Sequence, residues 1–457
     1  MTFFRMAAVK IVVILSVLIN FISLTLGQDI SEDEIKDLPG LNYNISFRHY
    51  SGYLPVSENH RLHYWFVESE SDPSKDPLVF WFNGGPGCTG LLKELGPYLV
   101  DSHGKSLNAN PHAWNKFASV VFIEAPAGVG YSYSADGNVT TNDDLTASEN
   151  YEGVKQFLKK FPSFRNHTIF ITGESYAGVY IPMLASRIGI AIGNGILDEN
   201  INVDTMIRFA YSMLCPYEKS FEGKVQVLDT YNFLWTTGLN TYDIFRKCDG
   251  NSKLNSERFR VIQESVLADP SLLQAHNVTV ASILSDPQFS TLERKEKLRE
   301  KELQKKNVQK DDEDEEESNE IPCLDDRDVS KYLNSPEVRK ALNIPEEDQT
   351  FYTKTRKDMK PYIENIIHGD VRILFFYGDT DMACNFLMGE QFSASLGLKE
   401  IGKQDAWRFR RQIAGYKTTY EKGVTFLTIL GAGHMAPAWR AAETSYAIKK
   451  FIDDQPI

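Results

Sequence analysis

The chain has 457 residues and a formal net charge of −13. That length exceeds one simple core of usual size, so a large domain with an insertion, or two domains, is expected. Apolar residues make up 42% and aromatics 12%, which excludes global disorder, and the acidic balance argues against the basic stripe of a nucleic-acid binder.

Arg5 and Lys10 flank the start of an apolar run, Ile11–Ile19, that continues to Leu26, and Thr25-Leu-Gly27 supplies small residues for cleavage. Residues 1–27 read as a secretory signal peptide, with an uncleaved anchor as the alternative. No later run approaches the ~20 apolar residues of a membrane helix, so no span is expected once the signal is removed. The sequons at Asn44, Asn138, Asn166 and Asn277 fit glycosylation in that route.

Further along, Tyr64-Trp-Phe-Val67 and Leu78–Phe82 predict neighbouring strands joined by the turn-rich Ser71–Pro77. Ser119–Ile123 predicts a third strand, and Asp144–Lys160 a helix that stops before Phe161-Pro162. Thr168–Thr172 predicts a strand, Tyr176–Arg187 a helix, and Gly189–Ile192 another strand. Alternation is then lost until Val371–Phe376 and Val424–Leu430, both predicted strands, and the last helix, Ala441–Asp453. Continuous β-branched and aromatic runs between helices indicate an α/β fold, with a mostly parallel central sheet covered on both faces. The core is expected over 28–200 and 326–457, with 201–325 as an inserted cap. Inside the cap, 293–320 is saturated with charge and includes Asp311-Asp-Glu-Asp-Glu-Glu-Glu317. It reads as a solvated, disordered excursion, and alternatively as a loop where a precursor is cut. Five cysteines, Cys88, Cys215, Cys248, Cys323 and Cys384, are an odd number for an oxidising route, so at least one is free or bridges to another chain. No Cys-x-x-Cys and no His-Glu-x-x-His occurs, and neither a metal nor a cofactor is expected.

Gly173-Glu-Ser-Tyr-Ala-Gly178 lies between a predicted strand and a predicted helix. That context suits a nucleophile elbow, whose tight turn presents Ser175 Oγ at a helix start; a capped turn is the plainer reading. Ala177 stands where the usual pattern has its second glycine. Tyr377-Gly-Asp-Thr-Asp381 and Gly431-Ala-Gly-His434 follow late strands, in the order serine, acid, histidine. A serine needs a base for its proton, and the imidazole needs an acid to set its tautomer. Among nine histidines, only His434 stands at a glycine-flanked strand end near the C-terminus. Local spacing leaves Asp379 and Asp381 both open, one for the histidine and one to cap the loop. Asn83-Gly-Gly-Pro-Gly-Cys88 lacks the lysine of a phosphate loop and follows a strand. It suits backbone N–H groups aimed at an oxyanion, with the Tyr176 N–H as the other half, or else a purely structural turn.

Taken with Gly193-Asn-Gly195, Gly378-Asp-Thr-Asp-Met-Ala-Cys-Asn385 and Gly431-Ala-Gly-His-Met435, these stretches resemble the serine carboxypeptidase family from about Leu41 to the C-terminus. The resemblance implies an α/β-hydrolase fold and release of C-terminal residues from peptides with a free C-terminus at acidic pH. It implies Ser175 as nucleophile, His434 as base and Asp381 as orienting acid, with the Gly85 and Tyr176 N–H groups in the oxyanion hole. Asn83, the Gly84 amide, Glu94 and Glu174 would bind the substrate's terminal carboxylate. Two ionised glutamates would repel that carboxylate. Burial and proximity raise a carboxyl pKa, so protonated glutamates can donate instead, and activity should weaken as they ionise. An ordinary surface-helix position is the alternative for Glu94.

The chain departs from the family pattern in places. Thr89-Gly90 replaces Ser-Ser, the loop before Glu94 is short, and so is the connection after Arg187. A tryptophan–cysteine block that would supply the partner of Cys88 is missing before Phe351. The resemblance leaves Cys248–Cys323 as a disulfide and Cys384 as a buried free thiol, implies a lysosomal or extracellular location, and allows a homodimer. Two other functions share the motifs: acyl transfer to an alcohol or amine, and a catalytically silent stabilising partner of other enzymes.

Overall fold

The computed structural model describes residues 30, 32–85, 91–101, 103–185, 189–214, 240–244, 327–344, 351–402 and 404–457. The expected signal peptide, Cys88, Cys215, the Cys248–Cys323 pair, the Asn277 sequon and the 293–320 stretch lie outside the described residues, as does most of the 201–325 insertion.

The strands are β1 (His49–Pro55), β2 (His60–Val67), β3 (Leu78–Phe82), β4 (Tyr98–Val100), β5 (Leu107–Ala109), β6 (Ser119–Ile123), β7 (Tyr133–Ser134), β8 (Thr140–Asn142), β9 (Ile169–Glu174), β10 (Gly189–Gly193), β11 (Phe351–Thr353), β12 (Ile373–Gly378), β13 (Asp405–Phe409), β14 (Gln412–Thr419) and β15 (Val424–Ile429). The α-helices are α1 (Asp143–Lys160), α2 (Ala177–Leu184), α3 (Glu199–Leu214), α4 (Arg327–Leu333), α5 (Pro336–Ala341), α6 (Lys360–His368), α7 (Phe386–Ser395), α8 (Ala436–Trp439) and α9 (Ala441–Ile452).

One eleven-stranded sheet organises the molecule, in the order β1-β2-β6-β3-β9-β10-β12-β15-β14-β13, with β7 paired to β2. The central strands from β6 to β15 are parallel to their neighbours, and both flanks are antiparallel. β3, β6, β10 and β12 read as apolar runs because helices cover both faces. Side chains alternate between two cores. Phe80, Phe82, Val121, Ile373 and Phe375 face the layer of α1, α2, α6 and α7. Val79, Trp81, Val120, Leu374 and Phe376 face the layer holding Trp114 and α9. Helix α1 begins where the Asn142 side chain accepts from the Leu145 amide. It carries Asp143 and Asp144 in its first turn and Lys159 and Lys160 in its last, which complements the helix dipole.

One expectation is overturned. β2 and β3 are not neighbours, because β6 lies between them, antiparallel to β2 and parallel to β3. All five β6 residues are buried, so this strand needs ladder partners on both sides, and the 71–77 connection steps over it. The helix after the elbow is also shorter than expected, Ala177–Leu184. Among the described residues no helix is long and apolar enough to cross a membrane. Asn44, Asn138 and Asn166 are all exposed.

Candidate active site

Five consecutive parallel strands, β3, β9, β10, β12 and β15, deliver their C-terminal ends to one edge of the sheet, where such folds place ligand sites. Asn83 follows β3, Glu174 ends β9 with Ser175 next, Asn194 follows β10, the aspartate loop follows β12, and His434 lies shortly beyond β15.

Ser175 sits at φ 60°, a left-handed conformation costly for a residue with a Cβ. Its amide donates to Gly193 O (3.1 Å), and its carbonyl accepts from Gly178 N and Ile196 N (both 3.0 Å). The turn is thus held from both sides. Close approach explains the neighbouring glycines. A Cβ on Gly84 would stand 2.4 Å from the Tyr176 amide nitrogen and 2.5 Å from Ser175 Cβ. The loop after β3 therefore lies against the elbow, and Gly85 follows it at φ 109°. A Cβ on Gly178 would meet Ile196 N at 2.9 Å. Here the glycine needed for packing is the one after Ala177, which is why the shifted motif still makes the turn.

His434 Nδ1 donates to Asp381 Oδ2 at 2.7 Å. Asp381 is fully buried, and its oxygens also accept from Asn194 Nδ2 (2.8 Å), Ala383 N (2.9 Å) and Cys384 N (3.3 Å). A carboxylate that only accepts requires the proton on Nδ1, which leaves Nε2 of a neutral ring free to accept a proton. Asp379 does other work: its Oδ1 accepts from Gly431 N (2.6 Å), closing the loop that leads to the histidine. Burial pushes its carboxyl up to about 6.

Cys384, a buried free thiol, clusters with Asp381 and His434, their polar atoms within 4.8 Å of one another, and lies close to Ser175. Burial holds the thiol well above its ordinary pKa. A neutral thiol beside an aspartate already committed to four donors is a poor metal-binding set.

Glu94 and Glu174 face each other, 2% and 3% exposed. Burial is the main cause of an upward shift in both carboxyls. Glu94 is pushed up to about 7 despite a hydrogen bond from Asn83. Glu174 is held well above the usual range, with the neighbouring Glu94 charge adding to burial. Asn83 Nδ2 donates to Glu94 Oε1 at 3.0 Å, and among the described residues Oε2 of each glutamate is buried with no hydrogen-bond partner. Glu94 is thus not on the surface.

Several residues here escaped the sequence reading. Asn194 bridges the aspartate loop: Nδ2 donates to Asp381, and Oδ1 accepts from Gly378 N (3.0 Å). Its place within Gly193-Asn-Gly195 at a strand end was the available signal. Trp81 Nε1 donates to Asn83 Oδ1 (2.7 Å), which turns the Asn83 amide group toward Glu94, and the Tyr180 hydroxyl donates to the Asn83 carbonyl. Both look like ordinary core aromatics in sequence. Residues 240–244, inside the expected cap, pack on the site: Tyr242 O accepts from His434 N (2.7 Å), and Thr241 O from Met382 N and Ala383 N (2.8 and 3.0 Å).

Comparison with known proteins agrees with this geometry. A family model described as serine carboxypeptidase matches residues 39–454. Serine carboxypeptidase ctsa-4.1 of Caenorhabditis elegans is 36% identical over 500 residues, covering 98% of this chain and 98% of that protein. The lysosomal protective protein of Mus musculus is 34% identical over 474 residues, covering 93% and 94%. Among solved structures, the prohormone-processing carboxypeptidase Kex1(delta)p of Saccharomyces cerevisiae superimposes with a TM-score of 0.62 at 19% identity, over 93% of this chain and 96% of that one.

Proposed function

This chain belongs to the serine carboxypeptidase family and is a serine-type hydrolase of the α/β-hydrolase fold; from that premise we propose that it releases C-terminal residues from peptides at acidic pH through Ser175, His434 and Asp381. Ser175 Oγ attacks the last peptide carbonyl while its proton passes to His434 Nε2. Asp381 holds the ring and balances the imidazolium that forms. The Gly85 and Tyr176 N–H groups take up the negative charge on the carbonyl oxygen. His434 then protonates the departing amine, which leaves as the free C-terminal residue. Water, deprotonated by the same ring, releases the acyl group from Ser175.

The observation that carries the C-terminal preference is the buried glutamate pair beside the elbow, with one oxygen on each carboxyl that has no partner among the described residues. Protonated, Glu94 and Glu174 donate to the substrate's terminal carboxylate, with Asn83 and the Gly84 amide completing the pocket. The mouse relative, named a lysosomal protective protein, and the three exposed sequons support passage through the secretory route to a lysosomal or extracellular site, with residues 1–27 as the removed signal and 201–325 as a cap. Ser175→Ala is expected to lower release of the terminal residue from an N-blocked dipeptide at about pH 5 by at least ~10⁴-fold. Release at the wild-type rate would overturn the proposal.

A further inference from the structure

The peptide plane between Ser175 and Tyr176 is held from its carbonyl end. Ser175 O accepts from Gly178 N and Ile196 N, both at 3.0 Å. In a trans peptide the N–H points opposite to the carbonyl, so the Tyr176 N–H faces away from those two donors. The loop after β3 lies on that nitrogen: a Cβ on Gly84 would stand 2.4 Å from it. The other end of the plane is the Tyr176 Cα, and its orientation depends on where the Tyr176 side chain is fixed.

That side chain is buried, and its hydroxyl donates to Asp143 Oδ1 at 2.9 Å. Asp143 is the first residue of α1 and is fully buried. Its second oxygen, Oδ2, accepts from the Thr355 amide, from Thr355 Oγ1 (3.0 Å) and from Arg356 N (2.7 Å). These donors follow directly on β11, which runs parallel to β8 with Thr353 opposite Asn142, the residue before Asp143. Arg356 Nη2 adds an ion pair to Asp144 Oδ1 at 2.6 Å. One oxygen of Asp143 is thus tied to the frame and the other to the ring beside the nucleophile.

We propose that Asp143 is a positioning residue for the oxyanion hole: through the Tyr176 hydroxyl it fixes the peptide plane whose N–H receives the negative charge of the transition state. This rests on the preceding reading, in which the Tyr176 N–H is one of the two oxyanion donors. Such a donor is effective only when aimed in advance at the developing charge. A misplacement of about 1 Å in a site of this kind costs up to about a hundredfold in rate. Loss of the hydroxyl should therefore lower kcat about tenfold or more. KM should change little, because the peptide's end is held by Asn83, Glu94 and Glu174.

The test compares wild type, Tyr176→Phe, Asp143→Ala and the double variant. Tyr176→Phe removes one oxygen and keeps the ring in its place, so the inference does not depend on the folding of Asp143→Ala. For each protein, kcat and KM are measured on an N-blocked dipeptide at about pH 5.5, together with the inhibition constant of a peptide boronate, whose tetrahedral adduct on Ser175 puts an oxygen in the hole. In Tyr176→Phe, kcat is expected to fall about tenfold or more, boronate binding to weaken by a similar factor, and KM to stay within about twofold. The double variant should be no slower than Asp143→Ala, since both changes break one link. Wild-type kcat in Tyr176→Phe overturns the inference and leaves the carboxypeptidase reading intact. A fall in kcat with unchanged boronate binding also overturns it, because the hydroxyl would then support the fold rather than the transition state. So does an effect confined to KM, or an additive loss in the double variant. A wild type that cleaves no dipeptide overturns both readings together.

Discussion

The glutamate pair makes a prediction that separates the carboxylate pocket from the catalytic residues. A dipeptide with a free C-terminal carboxylate and the same dipeptide as its C-terminal amide would use the same Ser175, His434 and Asp381, so the ratio of their kcat/KM values cancels everything those residues contribute. What remains is the interaction of the terminal group with Asn83, Glu94 and Glu174. The substrate carboxylate is ionised throughout pH 5–8. Glu94, pushed up to about 7 by burial, is protonated at pH 5 and mostly ionised at pH 8. If only the protonated form accepts a carboxylate, the acid:amide ratio falls by about tenfold between those pH values. The like-charge repulsion is large enough for this: two unit charges about 4 Å apart repel by roughly 4 kcal/mol at an effective dielectric of 20. Glu94→Gln replaces the titrating group with a permanently neutral donor of the same shape, so the ratio in the variant should change less over the same range. The assay is initial-rate kinetics on the two substrates from pH 5 to 8 at constant ionic strength. Parallel profiles for acid and amide in wild type would refute the reasoning, and so would an equal fall in Glu94→Gln.

Two further outcomes are expected. Stability should carry the same titration. Glu94 has a folded pKa of about 7 against an ordinary 4.5, so its contribution is fully present below about 4.5 and is lost as pH rises through 7; Glu94→Gln should stabilise the fold relative to wild type at pH 7.5, by something on the order of 3 kcal/mol in unfolding free energy, seen as a higher melting temperature in a thermal scan, and leave it unchanged near pH 4. Asn194→Ala removes one donor from Asp381 and leaves Gly378 N without its acceptor; kcat should fall about tenfold or more with little change in KM, measured by steady-state kinetics.

Legibility from sequence followed burial. Leu78–Phe82 and Ser119–Ile123 have the same ends in sequence and structure because every residue in them is buried, so the apolar run and the strand coincide. The flanking strands β1 and β14 were not legible. β1 reads HYSGYLP and β14 reads QIAGYKTT: each mixes polar residues with glycine, since an antiparallel flank need not be apolar on both faces. Sheet order was misread at β2–β3 because pairing is non-local, and a short run gives no sign of which partner it takes. The site motifs stand at strand ends and announce themselves through glycine. Asn194 lies in one such motif, but its role was not legible, since its two partners lie 184 and 187 residues further on. Nor was that of Trp81, since it rests on one indole N–H.

The charge arrangement explains why the buried acids around the elbow are held so differently. Asp381 accepts four hydrogen bonds, from His434 Nδ1, Asn194 Nδ2, Ala383 N and Cys384 N. Glu94 accepts from Asn83, and Glu174 has the Glu94 carboxyl as its main electrostatic neighbour. Hydrogen-bond donors therefore converge on the acid that the proposed mechanism uses to orient the histidine, and are sparse at the two glutamates. In the proposed mechanism, attack by Ser175 builds negative charge on the substrate's carbonyl oxygen, and Ser175 directly follows Glu174. An ionised Glu174 would oppose that charge as well as the substrate's carboxylate. Under the proposed mechanism, a neutral pair is thus favourable both for holding the peptide's end and for the chemistry one residue away.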